Sequence, residues 1–219
     1  MKKIIYILSG FILFFNLNAQ GFEDPAELAQ SVAEKMQIVE RYTADVLIQV
    51  DVEFINIEDK KAKVFFEKPD KFEIKAKGIA LLPKQGAEME YLELLNSDFT
   101  AIDEKREEVD GIDTRLIKII PMGAETDIVL AQLWIDEDNL RIERMQTYTK
   151  SSGSYKIDFS YADHPYDLPS TIRVEFDVKD MSLPASMTGD LESLSKKIEK
   201  RGVSKGTVVL EYSNYEVNY

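Results

Sequence analysis

No cysteine occurs anywhere in the 219-residue chain. That absence excludes a disulfide framework, a thiolate metal site and the lipid-bearing cysteine of an exported lipoprotein. Histidine is almost missing too, the only one being His164 in the loop Ala162-Asp163-His164-Pro165-Tyr166-Asp167. As a general base it would need Asp163 or Asp167 to orient it, and a histidine beside proline in a polar loop is far more often an ordinary turn residue. Zinc would find only carboxylates beside this histidine. No G-x-S-x-G elbow, Walker A loop or glycine-rich dinucleotide fingerprint is present, so no catalytic residue, cofactor or metal is assigned. The acidic run Asp136-Glu137-Asp138 lacks the ligand spacing and central glycine of an EF-hand loop, and reads as a solvated hairpin tip.

Positive charge is also scarce, with 27 Lys and Arg against 40 Asp and Glu and a net charge of −13. Such a surface repels phosphate backbones and anionic head groups, which argues against nucleic acid and against electrostatic docking on a membrane. Solubility explains the acidity, and a basic protein partner stays open.

A single long apolar run exists, Ile4 to Phe15, preceded by Lys2 and Lys3 and followed by Asn16-Leu17-Asn18-Ala19-Gln20. This is the order of the three regions of an export signal, and the run is shorter than the roughly 18 residues that span a bilayer core. Cleavage after Ala19 is expected, placing residues 20–219 outside the cytoplasm, in the periplasm. About 200 residues without linker or repeat suit one domain with one core.

Asp24-Pro25 reads as a helix cap and first turn, opening a helix from about Pro25 to Arg41 whose apolar stripe is Leu28, Val32, Met36 and Val39. From Thr43 the period changes to two: Ala44, Val46, Ile48, Val50, Val52 and Phe54 alternate with Asp45, Gln49, Asp51 and Glu53. The pattern recurs at Ala62, Val64, Phe66, at Phe72, Ile74, Ala76, at Tyr155 to Tyr161 and at Ile172 to Val178. These are antiparallel strands with one dry face and one wet face. More apolar strands are expected at Thr114–Ile120 and Thr126–Ile135, a hairpin return at Leu140–Thr149, a second helix at about Leu191–Arg201 and a last strand from Gly206. Residues 78–98 fit either a loop with a short helix or a strand.

About ten strands and two helices satisfy a curved open sheet with helices on its concave side, a closed barrel or a sandwich. Periodicity alone does not choose. Val46, Ile48, Val50, Val52, Phe54, Val64, Phe66, Phe72, Ile74 and Trp134 together supply an apolar surface that either fills itself or lines a cavity for a hydrophobic ligand.

The order of export signal, amphipathic helix, long alternating strand at Ala44–Ile57 and then Val64-Phe65-Phe66-Glu67-Lys68-Pro69-Asp70-Lys71-Phe72 resembles the LolA-like family of periplasmic lipoprotein carriers. In that family the second strand typically ends in a basic-residue-plus-proline step followed, after two residues, by an aromatic; here these are Lys68-Pro69 and Phe72. Leu133-Trp134-Ile135-Asp136 and Asp167-Leu168-Pro169 before Ile172-Arg173-Val174 are likewise similar to outer-membrane lipoprotein-sorting proteins. The resemblance implies a mainly β (α+β) fold: an incomplete, strongly curved antiparallel β-barrel with helices covering the concave face. It implies that the ten apolar residues above receive acyl chains of lipoproteins or another lipid. Lys68, Pro69, Val32 and Met36 would then form the lid and gate. An inner-membrane release complex and an outer-membrane acceptor would be the partners of a monomeric carrier without catalytic activity. The gating residue of the family is usually arginine, whose planar fork holds several carbonyls at once, whereas Lys68 is a mobile point charge. The alternative of the same class of fold is a periplasmic sensor or scaffold that binds a protein.

Overall fold

The computed structural model describes residues 22–52, 55–56, 58–68, 71–76, 87–123, 127–150, 153–162, 166–177 and 205–218. The expected export signal, the expected helix at 191–201, His164, Phe54 and Pro69 lie outside the described residues.

Helix α1 spans Pro25–Met36. The Asp24 carboxylate accepts the Ala26 amide at 2.8 Å, Pro25 occupies the first turn, and Glu27 and Lys35 stand at the ends that suit their charges. The helix stops short of Arg41. The Gln37 amide bonds back to Ala33 and Glu34, and the chain then straightens so that buried Val39 reaches the core from an extended link.

Strands follow as β1 Arg41–Val52, β2 Ile55–Asn56, β3 Lys60–Glu67 and β4 Lys71–Ala76. Helix α2 is Ala87–Asn96, which resolves the ambiguous 78–98 stretch in favour of a helix preceding a strand. The rest is β5 Phe99–Val109, β6 Ile112–Pro121, β7 Ile128–Asp136, β8 Arg141–Thr149, β9 Ser154–Tyr161, β10 Pro169–Asp177 and β11 Lys205–Asn218. The sheet order is β4-β3-β1-β11-β10-β9-β8-β7-β6-β5, each neighbour antiparallel, with β2 paired to β1. β4 and β5 end the path without meeting, so the barrel is incomplete.

Register follows the alternation of the sequence. Ala44, Val46 and Ile48 share the inner face with Val64, Ala62, Tyr212 and Leu210 on the flanking strands. Leu28, Ala29, Val32 and Ala33 of α1, and Tyr91, Leu94 and Leu95 of α2, join the same buried cluster. The helices thus cover the inner face of the half-barrel. Each such side chain removed from water contributes about 1.5–3 kcal/mol, which is why neither helix stands apart from the sheet.

One fold feature places charge. Glu104 of β5 is an extra residue relative to β6, since Asp103 lies opposite Ile117 and Lys105 opposite Leu116. Beyond this bulge Arg115, almost buried, faces inward on β6. It donates to Asp103 at 2.9 and 3.1 Å, to Glu137 at 3.1 Å and to the Phe22 carbonyl at 2.6 Å. It therefore ties β5, the β7–β8 turn and the entry to α1 together. The Arg115 guanidinium bound to Asp103 holds that carboxyl below its usual value.

Candidate functional site

A pocket opens at one end of the half-barrel, beneath the C-terminal end of α1. Its wall is aromatic: Tyr42 of β1, Phe66 of β3, Tyr91 of α2, Tyr161 of β9 and Tyr166 in the following loop. Met36, Val39, Leu92, Leu140, Ile142, Leu168 and Pro169 complete the apolar lining, and Lys35, Arg141 and Asp167 supply the polar rim.

The rings are held in place. Tyr42 stacks on Phe66 at 5.2 Å between centroids and meets Tyr215 edge-on at 5.5 Å, while Tyr91 meets Phe159 edge-on at 5.7 Å. Hydroxyls satisfy backbone carbonyls, Tyr161 donating to Ile142 at 2.8 Å and Tyr215 to Pro169 at 2.7 Å. Arg141 lies over the Tyr161 ring at 4.7 Å, a cation held against an aromatic face.

The rim fastens the helix. Lys35, in the last turn of α1, donates to the Asn139 carbonyl of the β7–β8 turn and pairs with Asp167 at 2.5 Å. Asp167 is held on its other oxygen by Arg141 at 3.5 Å, and Arg141 also meets Asp136 and Glu143 at 3.3 Å each. Glu143 is buried, and burial pushes its carboxyl above the usual value despite the opposing charge of Arg141. Lys68 sits at the same end: its amide donates to the Glu40 carbonyl at 2.9 Å, fixing the β3–β4 turn to the link after α1.

The pocket has a volume of about 60 Å³. A water needs roughly 10–15 Å³ by the same measure, whereas sites for drug-sized ligands run to about 300–1,000 Å³. As it stands this pocket has room for a few waters.

Of the expected lining residues, Val46, Ile48 and Val64 lie buried in the core under the helices, and Val50, Phe66, Phe72 and Ile74 are half-buried against it. Phe66 alone of these touches the pocket. Val52 closes β1 opposite Gly206 and Ile55. Val32 is fully buried in α1, and Met36 lines the pocket.

Trp134 is a correction. On β7 the residues that enter the core are Ala131, Leu133 and Ile135, so Trp134 points to the outer face. There its indole N–H donates to Glu107 at 2.9 Å and Arg144 lies over its ring. A tryptophan between two core residues of a strand is on the other face by parity, a signal its bulk obscured. The acidic run is a second correction: Asp136 is buried and accepts from the Asp138 and Asn139 amides at 3.0 and 3.1 Å, and Glu137 holds Arg115. Among the described residues no group of three or more His, Asp or Glu is arranged to hold a metal, and no helix is long and apolar enough to cross a membrane.

No protein-family model matches the chain, and no curated protein matches it by sequence. Solved structures do match. A DUF1329 family protein from Desulfovibrio piger superposes with a TM-score of 0.58 at 14% identity, covering 89% of this chain and 94% of that one. A LolA superfamily protein from Nitrosomonas europaea gives 0.51 at 13% identity over 87% and 94% of the two chains. A domain named for outer-membrane lipoprotein sorting, from Vibrio parahaemolyticus, gives 0.51 at 11% identity over 89% and 92%. Among the described residues eleven antiparallel strands in an unclosed sheet, roofed by two helices and matched along nearly the whole chain, give the LolA-like fold.

Proposed function

We propose that the protein is a periplasmic carrier that shields acyl chains, of a lipoprotein or of another lipid, inside its half-barrel, with no catalytic step. The observation that carries this reading is the pocket mouth: an aromatic opening between a helical roof and a largely apolar inner face, closed by polar contacts of α1. Entry of an acyl chain requires α1 to lift, which exposes Leu28, Val32 and the part of the buried cluster that they cover. The chain then covers what the helix covered. Each buried CH₂ contributes about 0.8 kcal/mol, so a dozen of them offset a roof held by a few core side chains.

The export signal read at Lys2 to Gln20 and the missing lipidation cysteine support a freely diffusing periplasmic molecule. Delivery then calls for an inner-membrane release complex and an outer-membrane acceptor. Native mass spectrometry of protein isolated from its own periplasm tests the proposal: bound lipid, with uptake of a fluorescent fatty acid by the stripped protein, is the expected result. Lipid-free protein that takes up none would overturn it.

The small volume of the closed pocket favours one second reading, a scaffold of the same fold that binds a protein. Affinity capture from periplasm separates the two, since a carrier enriches many lipoproteins and a scaffold enriches one partner.

A further inference from the structure

β5 ends the sheet, and among the described residues no strand pairs with its outer side. Although α1 packs along this strand, the five consecutive residues Ile102 to Arg106 are all exposed. At their centre stands Asp103-Glu104-Lys105-Arg106, two acids followed by two bases. Reversed and paired with itself, this run sets every acid opposite a base.

Reversal alone does not suffice, because residues opposite each other across an antiparallel pair must share a face, and in a regular strand positions 104 and 105 point to opposite faces. The bulge at Glu104 removes that conflict. Asp103 and Arg106 pair with Ile117 and Arg115, which face inward, while Lys105 pairs with Leu116 and Glu104 reaches Lys118 on the outer face. Inner, outer, outer, inner is symmetric about its centre, so the run can meet its own copy about a two-fold axis between Glu104 and Lys105 with each pair on one face. The opposite edge is built differently: β4 carries Lys71 and Lys75, a pattern that repels a copy of itself.

We infer that β5 is a self-pairing edge, and that two copies of this chain join through it as an antiparallel two-fold dimer. Asp103 meets the partner's Arg106 on the inner face, and Glu104 meets the partner's Lys105 on the outer face. The sequence reading expects a monomer; the edge geometry argues for a weak dimer instead. All four charges already have partners within the chain, among them Arg115 for Asp103 and Asp113 for Arg106, so the contact is shared and salt-sensitive rather than tight. Because the strands run in opposite directions, the two pocket mouths point to opposite ends. The inference is therefore independent of whether the pocket carries lipid.

Sedimentation velocity on protein expressed from the full-length sequence tests it, over a hundredfold range of concentration in low salt and at about 0.5 M salt. The expected result is a monomer–dimer equilibrium that weakens as salt rises. Lys105→Glu and Glu104→Lys each place like charges opposite one another twice and weaken association by about tenfold or more. The double variant Glu104→Lys with Lys105→Glu restores alternation and recovers the dimer. Its recovery also shows that loss in the singles did not come from misfolding. A monomer at every concentration in low salt overturns the inference, as does a dimer of equal strength in all four proteins.

Discussion

Replacing Lys35 by Met tests how the roof is held. The substitution keeps most of the side-chain stem and removes two interactions of the ammonium, with Asp167 and with the Asn139 carbonyl. Both partners in the ion pair are about 30% exposed, so the pair falls between a surface ion pair, worth roughly 0.2–1 kcal/mol, and a buried charged hydrogen bond, worth roughly 1.5–3. About 1–2 kcal/mol is the expected loss. Asp167 keeps Arg141, so no carboxylate is left without a counter-charge. If closure of α1 competes with acyl-chain entry, that loss multiplies the open population by about 5 to 30. The apparent dissociation constant falls by the same factor, because affinity scales with the competent fraction. A titration with a fluorescent fatty acid, with thermal melting in parallel, reads both consequences: tighter binding and a lower melting temperature. Lys75→Met, which removes an exposed ion pair with Glu73 on the edge strand, serves as the control and leaves binding unchanged. Unchanged or weaker binding by a folded Lys35→Met protein would refute α1 as the gate.

Arg115→Met removes a donor of the nearly buried Phe22 carbonyl, the guanidinium bound to Asp103 and one of the two donors of Glu137, which keeps Arg106, and stability falls by roughly 2 kcal/mol in urea titration; a loss below about 0.5 kcal/mol would contradict the tie drawn through Arg115. Glu143 holds its proton more tightly in the folded than in the unfolded chain, so its favourable contribution is present at low pH and is lost as pH rises through the raised value. Glu143→Gln should therefore match the parent below about pH 4 and melt higher than it near neutrality; lower stability at pH 7 would show that the pairing with Arg141 outweighs burial. Trp134→Phe removes the bond to Glu107 on the outer face and leaves fatty-acid uptake unchanged, whereas a loss of uptake would return this residue to the hollow.

The parts of the fold that could be read beforehand are those in which one local rule acts without a competitor. Asp24-Pro25 caps α1 because a carboxylate acceptor and a ring-fixed φ both suit that position, and β1 alternates cleanly because one of its faces is dry along its length. β5 escaped this kind of reading. Its outer half is a charged run interrupted by a bulge, so neither hydrophobicity nor a period of two survives in Phe99–Val109. α2 is ambiguous for a related reason: among its described side chains Tyr91, Leu94 and Leu95 are buried, a compact apolar cluster that does not by itself separate a period of 3.6 from other readings. The rim was unreadable in principle. Lys35, Arg141 and Asp167 are separated by 106 and 26 residues and become one group only when β7–β8, the loop after β9 and α1 reach the same end of the barrel.

Alternation tells which side of a strand is dry, but not what dries it. Among the described residues the inner face is covered by α1, α2 and side chains of the sheet itself, and the pocket at the mouth holds about 60 Å³. Any acyl chain must therefore displace the protein's own apolar groups, and the binding energy observed is the difference between two burials rather than the whole of one. Such a difference is small and easily biased from the rim. A change of 1–2 kcal/mol at Lys35 would scarcely matter to a rigid open cavity that buries a dozen CH₂ groups. In a roofed half-barrel it shifts the balance between closed and open by about an order of magnitude, which is the sensitivity that the proposed carrier needs if it is both to accept and to surrender an acyl chain.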